Sequence, residues 1–202
     1  DTFLRHVTQV ISLGTGMPQL FNDEAVTPAL ENAGYSHEDA MNYAVVGCVE
    51  LSVPGNALGF SDAGMFNMVK CLELTLNDGV CMETGKQLGL KLGTLEDFKT
   101  FEELEEAYKK QMYYFLEKME TGLQIIEEMH KKYMVSPMLS SVIDNCMERG
   151  VDVTAGGAVY NKSGVQLIQV ANVADSMAAL KELVYEKKEV SAKELLEQLR
   201  QN

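Results

Sequence analysis

Apolar residues recur at helical spacing over most of the chain and give way in two places to short extended runs. Phe3, Leu4, Val7, Val10 and Ile11 share one helical face that closes at Gly14 or Gly16. "LGTGMPQLFND" reads as a loop, and residues 23 to 33 as a short helix containing Pro28 and ending at Gly34. Ser36 is placed to cap the next helix, with Asp39 three residues later approximating a capping box. Ala44, Val45 and Val46 then form a short apolar run expected to be a buried strand, and Pro54-Gly55 marks a turn.

Beyond that turn, Met65, Phe66, Met68, Val69, Leu72 and Leu76 fit a helix capped by Ser61 or Asp62 and stopped by Asn77-Asp78-Gly79. Residues 80 to 99 read as an irregular loop. The longest helical signal runs from Phe101 to Tyr133, with Phe101, Leu104, Tyr108, Met112, Phe115, Met119 and Leu123 as a core-facing stripe. A further helix is expected over 134 to 149, with Pro137 in its first turn and Gly150 at its end. Ala158 to Tyr160 and Val165 to Val170 read as two strands around the Ser163-Gly164 turn. A helix from Asn172 or Asp175 to about Tyr185 follows, then a last one capped by Ser191. Strands between long helices give an α/β class, barrel-like rather than a nucleotide-binding sheet. Gly14 and Gly16 lack the third glycine of a dinucleotide fingerprint.

Composition narrows the function. With 202 residues and 46% hydrophobic content the chain can bury a real core, so disorder is excluded. A formal net charge of −13 opposes nucleic acid and anionic membrane partners, and the lysines lie among glutamates as solvated helix faces. Cys48, Cys71, Cys81 and Cys146 show no C-x-x-C spacing, which argues against a zinc site and a disulfide framework. With no secretory leader and no apolar run of membrane-spanning length, a reducing cytoplasm is the expected location. His6, His37 and His130 have no partner spacing and are expected at the surface or at caps, with no metal bound. The chain enters a helical pattern at Asp1 and leaves one at Asn202, so it is expected to be a piece of something longer.

Candidate chemistry concentrates in "NYAVVGCVELSVPG", residues 42 to 55. Cys48 alone reads as a small buried hydrophobe and Glu50 alone as a solvated charge. Together at a strand end, two residues apart, they would share one face of an extended backbone, and strand ends are good addresses for reactive groups. Cys71 fits helix packing. Gly156 and Gly157 permit close backbone approach, making Tyr160 and Asn161 pocket candidates.

Four stretches, "FND" at 21 to 23, "VVGCVE" at 45 to 50, "PGNALGFSDAGMFNMVKCLELTLNDG" at 54 to 79 and "GGAVYNKSGVQLIQVANVADSMAALKELVY" at 156 to 185, carry a wider pattern. In that order they resemble the glycyl radical enzymes of the pyruvate formate-lyase-like family, most closely the dehydratase and lyase branch. The resemblance implies that residues 1–202 are part of a ten-stranded α/β-barrel, helix-rich and without the C-terminal glycyl radical domain. It implies that Cys48 carries a thiyl radical and that Glu50 is a general base. Gly47, Val49, Gly156, Gly157 and Tyr160 would line the substrate pocket.

No cofactor is then expected on this chain itself. A glycyl radical, installed by a radical SAM activating enzyme, would come from the remainder of the parent chain or a partner loop, and the resemblance implies a homodimer as one assembly of the full-length protein. Pyruvate formate-lyase proper has two adjacent cysteines, whereas Gly47 and Val49 flank a single one here. That favours elimination from a small hydroxylated molecule over acyl transfer. The branch offers glycerol, propanediol, trans-4-hydroxyproline, choline and isethionate as substrates, with hydroxyproline suggested by "GCVELSVPG"; a decarboxylase shares the Cys-x-Glu pair. Asn56 stands where the family often has a basic residue, and Phe60 where it often has a Trp-type aromatic. As a polypeptide alone the chain would then be inactive, a folding or interaction module or an excised piece.

Overall fold

The structure, a computed structural model, describes residues 2–14 and 16–201. Asp1, Thr15 and Asn202, assigned above to a helix start, a loop and a helix end, lie outside those residues. In chain order the elements are α1 (Thr2–Ile11), α2 (Asp23–Asn32), α3 (His37–Met41), β1 (Ala44–Val46), β2 (Glu50–Ser52), β3 (Gly64–Asn67) and α4 (Met68–Leu76). They continue with α5 (Phe101–Tyr133), α6 (Pro137–Ser140), α7 (Cys146–Arg149), β4 (Val165–Ile168), α8 (Val170–Leu180) and α9 (Ala192–Gln201). The backbone divides into two compact units, residues 1–61 with 130–163, and residues 62–129 with 164–202.

In the first unit α2 and α3 are capped by a side-chain amide and a hydroxyl placed just before each of them. Asn22 accepts from the Glu24 amide to start α2, and Ser36 accepts from the Asp39 amide to start α3, satisfying N–H groups that the first turn leaves open. β1 and β2 pair antiparallel, with Ala44 opposite Ser52 and Val46 opposite Glu50. Val45 and Val46 are exposed rather than buried as expected, because the hairpin has two strands only. A small apolar cluster of Cys146, Val153 and Ala158, with Leu58 and Ile143 against it, fills this unit.

The expected continuous helix over 134 to 149 is two short ones, α6 and α7. Asn145 between them adopts a left-handed conformation, φ 74°, and the Asp144 amide turns away to donate to Gly55 O at 2.8 Å. Pro137 does occupy the first turn of α6, and Gly150 does close α7 in a left-handed conformation. The expected strand at Ala158 to Tyr160 is reduced to one parallel bridge, Tyr160 to Ala57.

The second unit holds the larger core. Phe66, Cys71, Leu72, Leu76, Leu104, Tyr108, Val173, Leu180 and Leu196 are buried together, with Met112, Phe115 and Met119 of the α5 stripe packed against them. Residues 64 to 67, assigned to a helix from their spacing, are strand β3, and α4 starts only at Met68 with Asn67 as its cap. Met65 is exposed while Phe66 is buried, the alternation of a strand. Its parallel partner β4, with Phe66 opposite Leu167, lies a hundred residues on. α8 starts earlier than Asn172, because a single left-handed residue, Gln169, turns β4 directly into the helix. No helix is long and apolar enough to cross a membrane among the described residues.

Candidate active site

The β1–β2 hairpin displays the candidate chemistry. Val46 pairs with Glu50, so Gly47, Cys48 and Val49 form the loop between them, and Cys48 is a free, exposed thiol at its tip. The loop needs a glycine at its first position. Gly47 sits at φ +62°, in the left-handed region that costs residues bearing a Cβ roughly 1 kcal/mol or more. A Cβ there would also fall 2.5 Å from Glu50 Oε2.

That closeness reflects how Glu50 lies. Its carboxylate curls back over the loop, where Oε2 accepts from the Cys48 amide at 2.7 Å and the Val49 amide at 3.0 Å. Cys48 and Glu50 are therefore joined by a turn, and not, as expected, by sharing one face of a strand. Backbone amides, that of Glu50 itself foremost and then those of Val49 and Cys48, hold the Glu50 carboxyl below its ordinary range. It is ionised at neutral pH, and it fixes the peptide groups on either side of the Cys48 side chain.

The other candidates lie elsewhere in the first unit. Gly156, φ +84°, ends a single 3-10 turn at Val153–Ala155. A Cβ on Gly157 would meet Cys146 Sγ at 2.9 Å and Asp152 O at 3.0 Å, so its close approach is to the protein's own interior. The Asn145 side chain donates to Gly157 O at 3.1 Å and Arg149 to Gly156 O at 2.9 Å. Tyr160 donates to Asp39 Oδ2 at 2.6 Å and accepts from the Ser36 amide at 3.0 Å, which commits its hydroxyl to α3.

Asp39 was visible in the sequence only as a partner in capping. In the structure it also accepts from Asn56 Nδ2 at 2.7 Å, a link whose single sequence signal was the departure at Asn56. Of the histidines, His37 pairs with Glu31 at the surface and His130 packs on Phe60. Among the described residues, no three His, Cys, Asp or Glu groups come together as a metal site.

Comparison with known proteins places this hairpin in context. Residues 1–202 match the pyruvate formate lyase-like family model. The chain is 37% identical over 194 residues to (2S)-3-sulfopropanediol dehydratase of Klebsiella oxytoca, covering 96% of this chain and 24% of that protein. It is 36% identical to trans-4-hydroxy-L-proline dehydratase of Clostridioides difficile, covering 99% of this chain and 25% of the relative. The solved structure of the glycerol-bound, B12-independent glycerol dehydratase of Clostridium butyricum superposes with a TM-score of 0.86 at 37% identity, over 100% of this chain and 25% of that one. The chain thus spans about a quarter of the length of the relatives it matches. A family match that runs from end to end, with dehydratase relatives 36% and 37% identical, shows that the chain belongs to the pyruvate formate lyase-like glycyl radical enzymes, in their dehydratase and lyase branch.

Proposed function

We propose that residues 1–202 are the thiyl-bearing part of a cytoplasmic glycyl radical dehydratase or lyase, which removes a leaving group from a small hydroxylated substrate. The observation that carries the reading is the pairing of an exposed Cys48 thiol with an ionised Glu50 carboxylate on one hairpin. The glycyl radical, installed by a radical SAM activating enzyme and held on chain outside these residues, supplies the chemistry that takes the hydrogen atom from the Cys48 thiol.

Cys48 sulfur then takes a hydrogen atom from the carbon next to the one that bears the leaving group, forming S–H, breaking C–H and leaving the unpaired electron there. That carbon carries a hydroxyl in the diols, choline and isethionate, and the ring nitrogen in hydroxyproline. A hydroxyl on a carbon radical is far more acidic than in the parent alcohol. Glu50, although a weak base with its carboxyl held low, can therefore accept the proton. As the proton leaves, the group on the neighbouring carbon departs with its bonding pair. Returning the hydrogen atom from Cys48 completes the product and restores the sulfur radical.

The relatives' names, dehydratases of sulfopropanediol, trans-4-hydroxy-L-proline and glycerol, support loss of water as the elimination. The test is an anaerobic assay of the whole enzyme, activated by its radical SAM partner and offered glycerol, propanediol, sulfopropanediol, hydroxyproline, choline, isethionate and an arylacetate. Cys48→Ser and Glu50→Gln are each expected to abolish turnover while the glycyl radical signal persists. Gln keeps an acceptor oxygen for the turn amides, so its effect reports on the proton and not on the fold. Normal turnover by Glu50→Gln would remove the base role. Consumption of an arylacetate with release of carbon dioxide would replace elimination by decarboxylation.

A further inference from the structure

A hairpin of two three-residue strands is marginal on its own, so the position of Cys48 has to be fixed from its feet. We propose that Asp39 is a positioning residue that clasps both feet of the Cys48 hairpin. The proposal rests on the reading of that hairpin as the catalytic one.

The geometry is specific. α3, which carries Asp39, ends at Met41, and β1 begins at Ala44. β2 ends at Ser52 and the chain turns through Pro54 and Gly55 to Asn56, whose side-chain amide donates to Asp39 Oδ1 at 2.7 Å. The contact joins residues 17 apart and closes a loop that contains the whole hairpin. Closing a loop of that length restricts its ends at modest entropic cost.

Tyr160 binds both sides of the same clasp. Its hydroxyl donates to Asp39 Oδ2, its amide donates to Asn56 O at 2.9 Å, and the Leu58 amide donates to its carbonyl at 3.4 Å. Its ring lies against Tyr35, with centroids 4.3 Å apart. Ser36 Oγ completes the set at 2.8 Å from Asp39 Oδ2. The hydrogen bonds from Tyr160 first, then Ser36 and Asn56, hold the Asp39 carboxyl below its ordinary range against partial burial, so it is a charged acceptor at neutral pH.

The experiment uses the whole activated enzyme with Asp39→Asn, Asn56→Asp, the two combined, and Tyr160→Phe. Asp39→Asn leaves an amide facing two donors, and Asn56→Asp sets two carboxylates against each other. The double variant reverses donor and acceptor and restores the bond. Each single variant is expected to raise amide exchange at Cys48 and Val49 about tenfold, the equivalent of one lost charged hydrogen bond. It is expected to lower kcat by about tenfold with KM changed by less than about twofold, the signature of a mispositioned reacting group. Glycyl radical content should stay at the wild-type level.

The double variant should return both readouts to within about threefold of wild type. Tyr160→Phe keeps the ring packing and should give a smaller effect in the same direction, which carries the test if a charged substitution does not fold. Unchanged exchange in every variant, faster exchange without loss of kcat, or a double variant no better than the singles would each overturn the proposal. Undiminished turnover by Cys48→Ser would instead remove the catalytic reading, while the exchange data would still report on the clasp.

Discussion

Cys48 and Cys71 are the same side chain put to opposite uses. Cys48 stands exposed at the tip of a hairpin, beside a carboxylate that holds its peptide groups. Cys71 lies inside α4 at 4% exposure among Phe66, Leu72, Leu104 and Tyr108, where burial pushes its thiol up to about 11. The same core pushes Tyr108 up to about 12, chiefly by burial and then by the neighbouring Cys71. In the core the thiol is a small hydrophobe that stays protonated, and on the hairpin it is a group offered to solvent. What separates the two is backbone display, since neither sequence neighbourhood carries a metal or disulfide motif.

Selective alkylation gives the largest expected contrast. At pH 8 a thiol with a pKa of about 11 holds roughly one thiolate in a thousand, and Cys71 must also be uncovered before it can react. Iodoacetamide on the native 202-residue chain is expected to label Cys48 first, and Cys71 only on global unfolding, as peptide mass mapping would show. Labelling of Cys71 at a rate equal to that of Cys48 would erase the distinction.

A smaller effect separates two glycines, one from each kind of backbone. Gly47→Ala puts a Cβ into both an unfavourable φ and the Glu50 carboxylate, and is expected to loosen the hairpin by about 1–2 kcal/mol. In the whole enzyme it should lower turnover by roughly tenfold or more, because the Cys48 peptide loses its anchor. Gly122 lies inside α5, where an added Cβ meets nothing within 4 Å. Gly122→Ala should therefore stabilise the chain by about 0.5–1 kcal/mol in denaturant unfolding. A loss of stability there would show that α5 has a close neighbour at that face.

The same contrast explains what the sequence made legible. The α5 stripe, the Asn77-Asp78-Gly79 stop and the Ser36 and Ser191 caps are local signals, and each is found at its predicted place. β3 was hidden because Met65, Phe66, Met68 and Val69 satisfy a helical period as well as they do a strand followed by a helix. Its partner β4 is a non-local pairing that periodicity does not encode. The break at Asn145 depends on one left-handed residue. At the candidate site, Gly47, Cys48 and Glu50 were readable as a cluster because they are adjacent, but the folding back of the Glu50 carboxylate was not. The link from Asp39 to Tyr160 spans 121 residues, and no local rule could supply it.

The smallest effect expected is a pH dependence confined to the hairpin. The turn amides hold the Glu50 carboxyl below the value it has in an unfolded chain. Its contribution to the turn is therefore fully present above the ordinary carboxylate pKa, and is lost as pH falls through the lower, folded value. The Cys48 and Val49 amide resonances should thus hold their positions on acidification through the ordinary carboxylate range and shift only below it. Amides of α4 around Cys71 sit beside Glu73, whose carboxylate accepts from the Met82 amide at 2.8 Å, so their shifts do not report on the hairpin. Asp39 is also held low, but its titration is read separately at the Asn56 side-chain amide. In Gly47→Ala, where the Cβ displaces the carboxylate, the Cys48 and Val49 midpoint should move up toward the ordinary value. A midpoint already there in the wild type would mean that Glu50 does not rest on the turn in solution, and the difference between the hairpin and the core would come down to exposure alone.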